Sequence, residues 1–273
     1  MIAFPTYRGV LHKSVSTTWT PQDLSPIIWI DPNDSSTLFN NISGGSLPSY
    51  NTEVHRVANK AAGYTSYEFL RDTTGGGLVR KQGTAATNYK DYFYGSAVSQ
   101  GNKIGSNEIG KNAAGVTAFV VCQCSSTSIT TPNAFFQVES GGSGLNRIYL
   151  DAGRNSTNKL GIISRRVDSG SGIILSTSTS TPSNLNVFGG KFEFASNKCS
   201  TYVNSTTVNS ENLSAYGGTG TNCANTNSLS ATIAGFTNSG TINIGEIIVV
   251  NRALTSTEMT NAFSYLNAKW RNA

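Results

Sequence analysis

Cleavage of a glycosidic bond usually needs two carboxylates flanking it, one as acid and one as base or nucleophile. On a β-strand such a pair is written Glu-x-Asp, because side chains two apart share a face. The sequence has eight Glu and seven Asp, and no Glu is followed two residues later by Asp. Glu139, Glu193 and Glu246 each stand alone among apolar or small residues. Two histidines, His12 and His55, are too few for a proton-transfer set. Ser143 and Ser171 lie beside glycines but miss the five-residue spacing of a nucleophile elbow. No catalytic residue is expected, and the reading is not an enzyme.

Metal chemistry is weakly represented too. Asp31 and Asp34, three apart with Asn33 between them, could start an oxygen shell for calcium. The same residues also read as an ordinary turn with Asx caps. Cys122 and Cys124 sit two apart in an apolar run, whereas a zinc knuckle prefers C-x-x-C and four converging ligands. They read as small buried groups on one strand face. Spacing leaves open whether Cys199 and Cys223 pair. No metal or cofactor is expected.

Binding chemistry has one candidate cluster. Tyr89, Tyr92 and Tyr94 surround Phe93 just before Gly95. Several rings so close together can stack on sugars, or pack as half-buried strand residues. Tyr89, Tyr92 and Tyr94 are therefore the candidate glycan-binding residues.

The elements that must position these groups are short apolar runs separated by Gly, Ser, Asn and Thr. Candidate strands are 27–30, 67–70, 117–124, 134–138, 147–150, 159–164, 172–176, 186–194, 201–203, 231–236 and 242–251. Many short strands with little helix predict a sandwich or barrel. One helix is expected at the C-terminus. Thr255 to Glu258 fits a capping box, and Met259, Ala262, Phe263, Leu266 and Trp270 follow as one apolar stripe. A shorter helical turn is expected near Thr20, with Pro21 at its first position. Trp29 and Trp270 read as core anchors.

Residues 1–21 have no strong period and read as an extended arm, with 22–273 as the domain. Phe4, Tyr7, Val10 and Leu11 are apolar groups that gain by leaving water. They predict an attachment or oligomer contact. Met1-Ile2-Ala3-Phe4-Pro5 shows no basic region followed by an apolar stretch, so no signal peptide is expected.

Composition narrows the partners. Charged residues are 13% of the 273, aromatics 10%, and the formal net charge is +5. Ser, Thr, Asn and Gly make up roughly 45%, well above ordinary usage. Low charge with regular apolar clusters excludes a disordered chain, and no apolar run is long enough for a membrane helix. Basic residues are scattered, with no run of four, so nucleic acid is not an expected partner.

Two segments carry a resemblance. Leu24-Ser25-Pro26-Ile27-Ile28-Trp29-Ile30-Asp31 with the following Asp34-Ser35-Ser36-Thr37-Leu38 resembles the opening of laminin-G-like, concanavalin A-like jelly rolls. Ile244 to Thr255 and the helix through Trp270 resemble that family's end, and Lys198 to Ser205 its "Y-v-N-G" hairpin, with Ser205 in place of the turn glycine. The resemblance implies an all-β, two-sheet antiparallel jelly-roll sandwich with a C-terminal α-helix and an extended N-terminal arm. Laminarinase-type hydrolases share that fold, but their Glu-x-Asp pattern is missing here. The resemblance also implies a noncatalytic bacteriophage virion protein, in capsid decoration, a fibre or the tail, displaying a lectin-like domain. Its expected partners are other virion proteins through the arm, a second copy of the chain and a host surface glycan. It would be assembled in the host cytoplasm and exposed on the particle. A free-standing carbohydrate-binding lectin is the alternative, and a glycan-active enzyme the third reading.

Overall fold

The computed structural model describes residues 19–71, 76–88, 90–95, 101–124, 133–140, 145–153, 158–167, 172–178, 181–213, 216–217, 221–223, 229–234 and 241–271. Phe4, Tyr7, Val10, Leu11 and Tyr89 lie outside the described residues. The strands are β1 (Ile28–Ile30), β2 (Leu38–Phe39), β3 (Glu53–Val54), β4 (Arg56–Val57), β5 (Phe69–Arg71) and β6 (Leu78–Lys81). They continue with β7 (Tyr92–Gly95), β8 (Asn102–Asn107), β9 (Gly115–Cys124), β10 (Asn133–Ser140), β11 (Leu145–Ala152) and β12 (Leu160–Ser164). The last six are β13 (Ile173–Ser176), β14 (Asn186–Glu193), β15 (Lys198–Val203), β16 (Val208–Asn212), β17 (Leu229–Ile233) and β18 (Ile242–Val250). Helix α1 (Ser256–Trp270) ends the domain.

The strands form two antiparallel sheets. The first runs β16-β15-β14-β9-β18-β7-β6-β3, with β1 also paired to β18, and the second runs β13-β12-β11-β10-β17-β8-β5-β4-β2. This is the expected two-sheet jelly-roll sandwich with a C-terminal helix. The longer apolar runs all became strands, with ends shifted by a few residues. The pairs β2, β3 and β4, and the polar β8 and β16, carry no readable period of their own. They form because an ordered neighbour offers hydrogen-bonding groups, as Arg56 and Val57 do for Phe39 and Leu38.

Strand β9 shows how sequence becomes layers. Val116, Ala118, Val120, Cys122 and Cys124 join the core between the sheets, while Phe119 and Val121 face the other way. On β18, Ile242, Ile244, Ile247 and Val249 point inward, and Ile248 and Val250 outward. A continuous apolar run is the signature of a strand covered on both faces. The outer cover is α1, whose Met259, Ala262, Phe263, Leu266 and Trp270 are all buried. Phe263 meets Phe119 edge to face at 5.4 Å between ring centres.

The helix starts where expected. Thr255 accepts from the Glu258 amide, and the Glu258 carboxylate accepts from the Thr255 amide at 2.9 Å. Arg252 forks onto the same carboxylate at 2.6 and 2.8 Å and, with these helix-cap bonds, holds Glu258 down at about 2. A 3-10 turn at Pro21–Leu24, capped by Thr20 and Asp23, precedes β1. All four cysteines are buried and remain thiols, Cys199 and Cys223 included.

One irregularity in β18 sets the direction of Glu246. In the β9–β18 pair, Ile244 opposes Cys122 but Ile247 opposes Val120, so Gly245 and Glu246 together face one residue. This bulge lets Ile244 and Ile247, three apart, both point inward, and turns Glu246 outward toward α1. Gly245 makes the close approach possible: a β-carbon there would lie 2.8–2.9 Å from the Trp270 ring. Gly245→Ala is expected to push Trp270 off the sheet and cost about 1–3 kcal/mol in urea unfolding, whereas Gly105→Ala, with nothing within 4 Å of its β-carbon, should not lower stability.

Candidate functional site

Glu246 is fully buried and is the centre of a knot between β18, β1 and α1. Its Oε1 accepts from Trp29 Nε1 at 2.7 Å and from the Tyr265 hydroxyl at 3.0 Å. Its Oε2 accepts from Lys269 Nζ at 2.7 Å and from Trp270 Nε1 at 3.3 Å. Lys269 also donates to Asp31 Oδ2 at 2.7 Å and to the Tyr265 oxygen at 3.2 Å. Asp31 is reached by Lys60 as well, at 3.4 Å, and Lys60 pairs with Asp34 at 2.9 Å. The two aspartates considered for calcium thus share a lysine ammonium.

Each donor is placed by a local feature. Glu246 reaches the site through the bulge. Trp29 faces outward from the middle of β1, whose backbone is pinned by Asn59: Trp29 N–H donates to Asn59 Oδ1 at 2.8 Å, and Asn59 Nδ2 donates to the Ile27 carbonyl at 2.9 Å. Tyr265 and Lys269 are one helical turn apart on α1, so they present adjacent groups to one carboxylate. The helix end is held by Asn88 Nδ2, which donates to the Lys269 carbonyl at 2.9 Å.

Burial and charge compete here. Burial pushes the Glu246 carboxyl above its ordinary value, with Lys269 pulling it back only in part. For Asp31, burial pushes up, but Lys269 and Lys60 outweigh it and hold the group below the ordinary range. Burial alone would depress Lys269, yet Glu246 and Asp31 hold its ammonium well above the usual lysine value.

Outside this knot, α1 borders a cavity of about 510 Å³ lined by Trp19, Asn261, Ser264, Tyr265, Ala268 and Lys269. That volume suits a small ligand, for which pockets run from about 300 to 1,000 Å³. Trp19 and Tyr265 stand 5.6 Å apart between ring centres, tilted by 60°. Trp29 is half-buried nearby, with the Lys60 ammonium 4.3 Å from its ring centre.

Of the tyrosines singled out in the sequence, Tyr92 and Tyr94 both project from the outer face of β7 and are half-buried, while Phe93 between them is in the core. Tyr92 packs against the layer under α1. Lys81 lies 5.0 Å from the Tyr94 ring centre, and Asn243, opposite Tyr94 in register, donates to Gln123 at 3.0 Å. Trp270 is buried as a core anchor, whereas Trp29 is a half-buried hydrogen-bond donor. Sequence reasoning missed the gathering of Glu246, Lys269, Tyr265 and Asp31. The one available signal was Tyr265 and Lys269 four apart on a capped helix.

Nothing in the knot is poised for glycoside hydrolysis. Each Glu246 oxygen takes two donors, and the Lys269 ammonium fills the space between the carboxylates where a substrate would have to sit. Its worth is structural. Replacing Lys269 by Met should cost about 3–5 kcal/mol near neutral pH, because buried Glu246 loses its counter-charge and Asp31 keeps only Lys60. Without the ammonium both carboxyls shift upward, so the folded variant binds protons more readily than its unfolded chain and gains stability as pH falls. Urea unfolding should therefore show a smaller loss at about pH 5 than at about pH 8; an equal loss at both would contradict the ion-pair assignment.

No protein-family model and no curated protein matches the chain. Solved structures are similar in fold. The binding domain of paraclostridial mosquitocidal protein 1 is 11% identical with a TM-score of 0.58, over 90% of this chain and 53% of that one. The binding domain of botulinum neurotoxin DC in complex with SialylT is 10% identical with a TM-score of 0.58, over 90% and 52%. The same domain in complex with rat synaptotagmin II is 9% identical with a TM-score of 0.56, over 90% and 52%. The chain spans about half the length of the solved domains it matches. At this identity the likeness is one of fold, a β-sandwich shared with toxin binding domains.

Proposed function

We propose that the chain is a noncatalytic, lectin-like binding domain that holds a glycan against the aromatic wall beside α1. The observation that carries this reading is the cavity walled by Trp19 and Tyr265, with Lys269 and the small polar groups of Asn261 and Ser264 at its border. Ring faces stack on the apolar face of a sugar, and nearby amides and hydroxyls bond its hydroxyl groups. The similar toxin structures support the ligand class, since one was solved with SialylT and, for another, cell entry of botulinum neurotoxin type C is described as dependent upon interaction with two ganglioside molecules. They do not locate the site, because this chain corresponds to only about half of each.

A second surface, Tyr92 and Tyr94 with Lys81, Asn243 and Gln123, has the same chemistry on the outer face of β7. Its half-buried rings and its amide pair favour it as the rival platform. The wider setting expected from the sequence is a virion, with the part of the 1–21 arm that precedes Trp19 contacting other virion proteins or a second copy. That part of the proposal rests on composition and the sequence resemblance.

A glycan array probed with the intact chain, Trp19→Ala and Tyr94→Ala separates these surfaces. Trp19 packs on the Tyr265 ring, so Trp19→Ala is expected to lower the melting temperature, and binding is compared at a temperature where every variant is folded. Binding by the intact chain with a loss of about tenfold or more, roughly 1.4 kcal/mol, in Trp19→Ala is the expected result. Loss confined to Tyr94→Ala would move the site to the outer face of β7, and no glycan bound by the intact chain would overturn the reading.

A further inference from the structure

The knot around Glu246 also brings an amine and a carboxyl group into contact in a dry site. We propose that the Lys269–Asp31 ion pair is the precursor of a slow condensation, in which Lys269 Nζ and Asp31 Cγ form an intramolecular isopeptide bond with Glu246 as the proton shuttle. The ion pair described above is the uncondensed chain. Nζ lies 2.7 Å from Asp31 Oδ2, which puts the carboxyl carbon one bond further on, near the near-attack separation of roughly 3–3.5 Å. Glu246 Oε2 lies 2.7 Å from the same nitrogen. All three groups are shielded: side-chain exposure is 16% for Lys269, 8% for Asp31 and 0% for Glu246. The Lys60–Asp31 pair is nearly as dry, at 18% and 8%, but longer at 3.4 Å, and the other described lysine–carboxylate pairs are wetter, such as Lys198–Glu211 at 35% and 29%.

The step balances without any co-reactant. In the resting pair both groups are charged, Lys269 held above and Asp31 below their ordinary values, so the step runs through the minor neutral pair: the Lys269 ammonium passes a proton by way of Glu246 to Asp31, giving a free amine and a carboxylic acid. The nitrogen lone pair attacks Cγ and forms the C–N bond. Glu246 takes the proton released by nitrogen and hands it to the departing oxygen as the C–O bond breaks. An ammonium and a carboxylate become an amide and one water, and Glu246 returns to its starting state. Burial raises the Glu246 carboxyl above its ordinary value, which suits a group that must hold a proton in transit. The Asn33 amide donates to Asp31 Oδ1 at 3.1 Å, and the Lys60 ammonium lies 3.4 Å from Oδ2. With Oδ2 departing as water, the Asn33 amide would stabilise the oxyanion on Oδ1 and the Lys60 ammonium the leaving oxygen. Condensation that water would oppose between free molecules is favoured here by effective molarities of about 10⁵ M or more and by exclusion of the water formed.

Asp31 is the electrophile rather than Glu246. The carboxylate of Glu246 is fixed by donors from Trp29, Tyr265 and Trp270, which hold it in place as a relay. The bond would join positions 238 apart in the sequence, tying β1 to the last turn of α1 and closing nearly the whole domain into a ring. Such a cross-link restricts the unfolded chain as a disulfide does, in a chain whose four cysteines remain thiols.

Intact mass spectrometry of the full folded chain tests this directly. The expected mass is one water, about 18 Da, below that of the sequence. Proteolysis should release a branched peptide joining the segment of Asp31 to that of Lys269. Glu246→Gln, checked for folding by circular dichroism, is expected at the full mass. An intact chain that keeps its full mass after prolonged incubation overturns the proposal, as does a branch mapping to Lys60. If Glu246→Gln loses water as fast as the parent, the shuttle assignment is wrong.

Discussion

A single ammonium group, that of Lys269, stands between two buried carboxylates contributed by opposite ends of the chain. Asp31 follows the first strand, Glu246 sits on the last, and Lys269 belongs to the final turn of the closing helix. Burying either carboxylate alone would cost several kcal/mol, so each is tolerable only with α1 docked. That docking in turn covers Phe119, Val121, Ile248 and Val250, which would otherwise expose an apolar face on the outside of the sheet. The electrostatic tie and the apolar cover therefore depend on each other, and the helix is an integral layer of the sandwich.

The same knot shapes the surface beside it. Tyr265 bonds Glu246 through its hydroxyl and presents its ring toward Trp19. Lys269 anchors the helix end and also borders the cavity. A ring held at its polar end by a buried carboxylate loses little freedom when a ligand stacks on it, which favours binding. Each Glu246 oxygen is held by two donors, so the ring and the carboxylate are fixed together.

Much of this architecture was legible in the sequence, because local rules and tertiary needs agree there. The Thr255–Glu258 capping box and the apolar stripe after it specify a helix that must dock, and the unbroken Ile-Ile-Val-Val of β18 specifies a strand covered on both faces. The rest is long-range. Glu246 looks isolated among apolar neighbours, and strict alternation would aim it into the core. Only the bulge at Gly245–Glu246 turns it outward, and nothing in β18 alone announces that. Its partners lie 217 residues back at Trp29 and 19 to 24 residues on at Tyr265, Lys269 and Trp270. The two-residue strands were illegible for a related reason: they follow from pairing, not from their own pattern. Tyr92 and Tyr94 were singled out only as neighbours in a ring-rich segment; their shared outer face comes from β7, which was not among the candidate strands.

The dependence of the helix on the Lys269 tie can be read from native-state hydrogen exchange. In the intact chain the amides of α1 are expected to exchange only with global unfolding, in the same class as those of β9 and β18. In Lys269→Met the helix amides should fall into a faster class while β9 and β14 stay protected. Helix amides that keep their global protection in Lys269→Met, or that exchange ahead of the sheet in the intact chain, would contradict the claim that this ammonium holds the layers together.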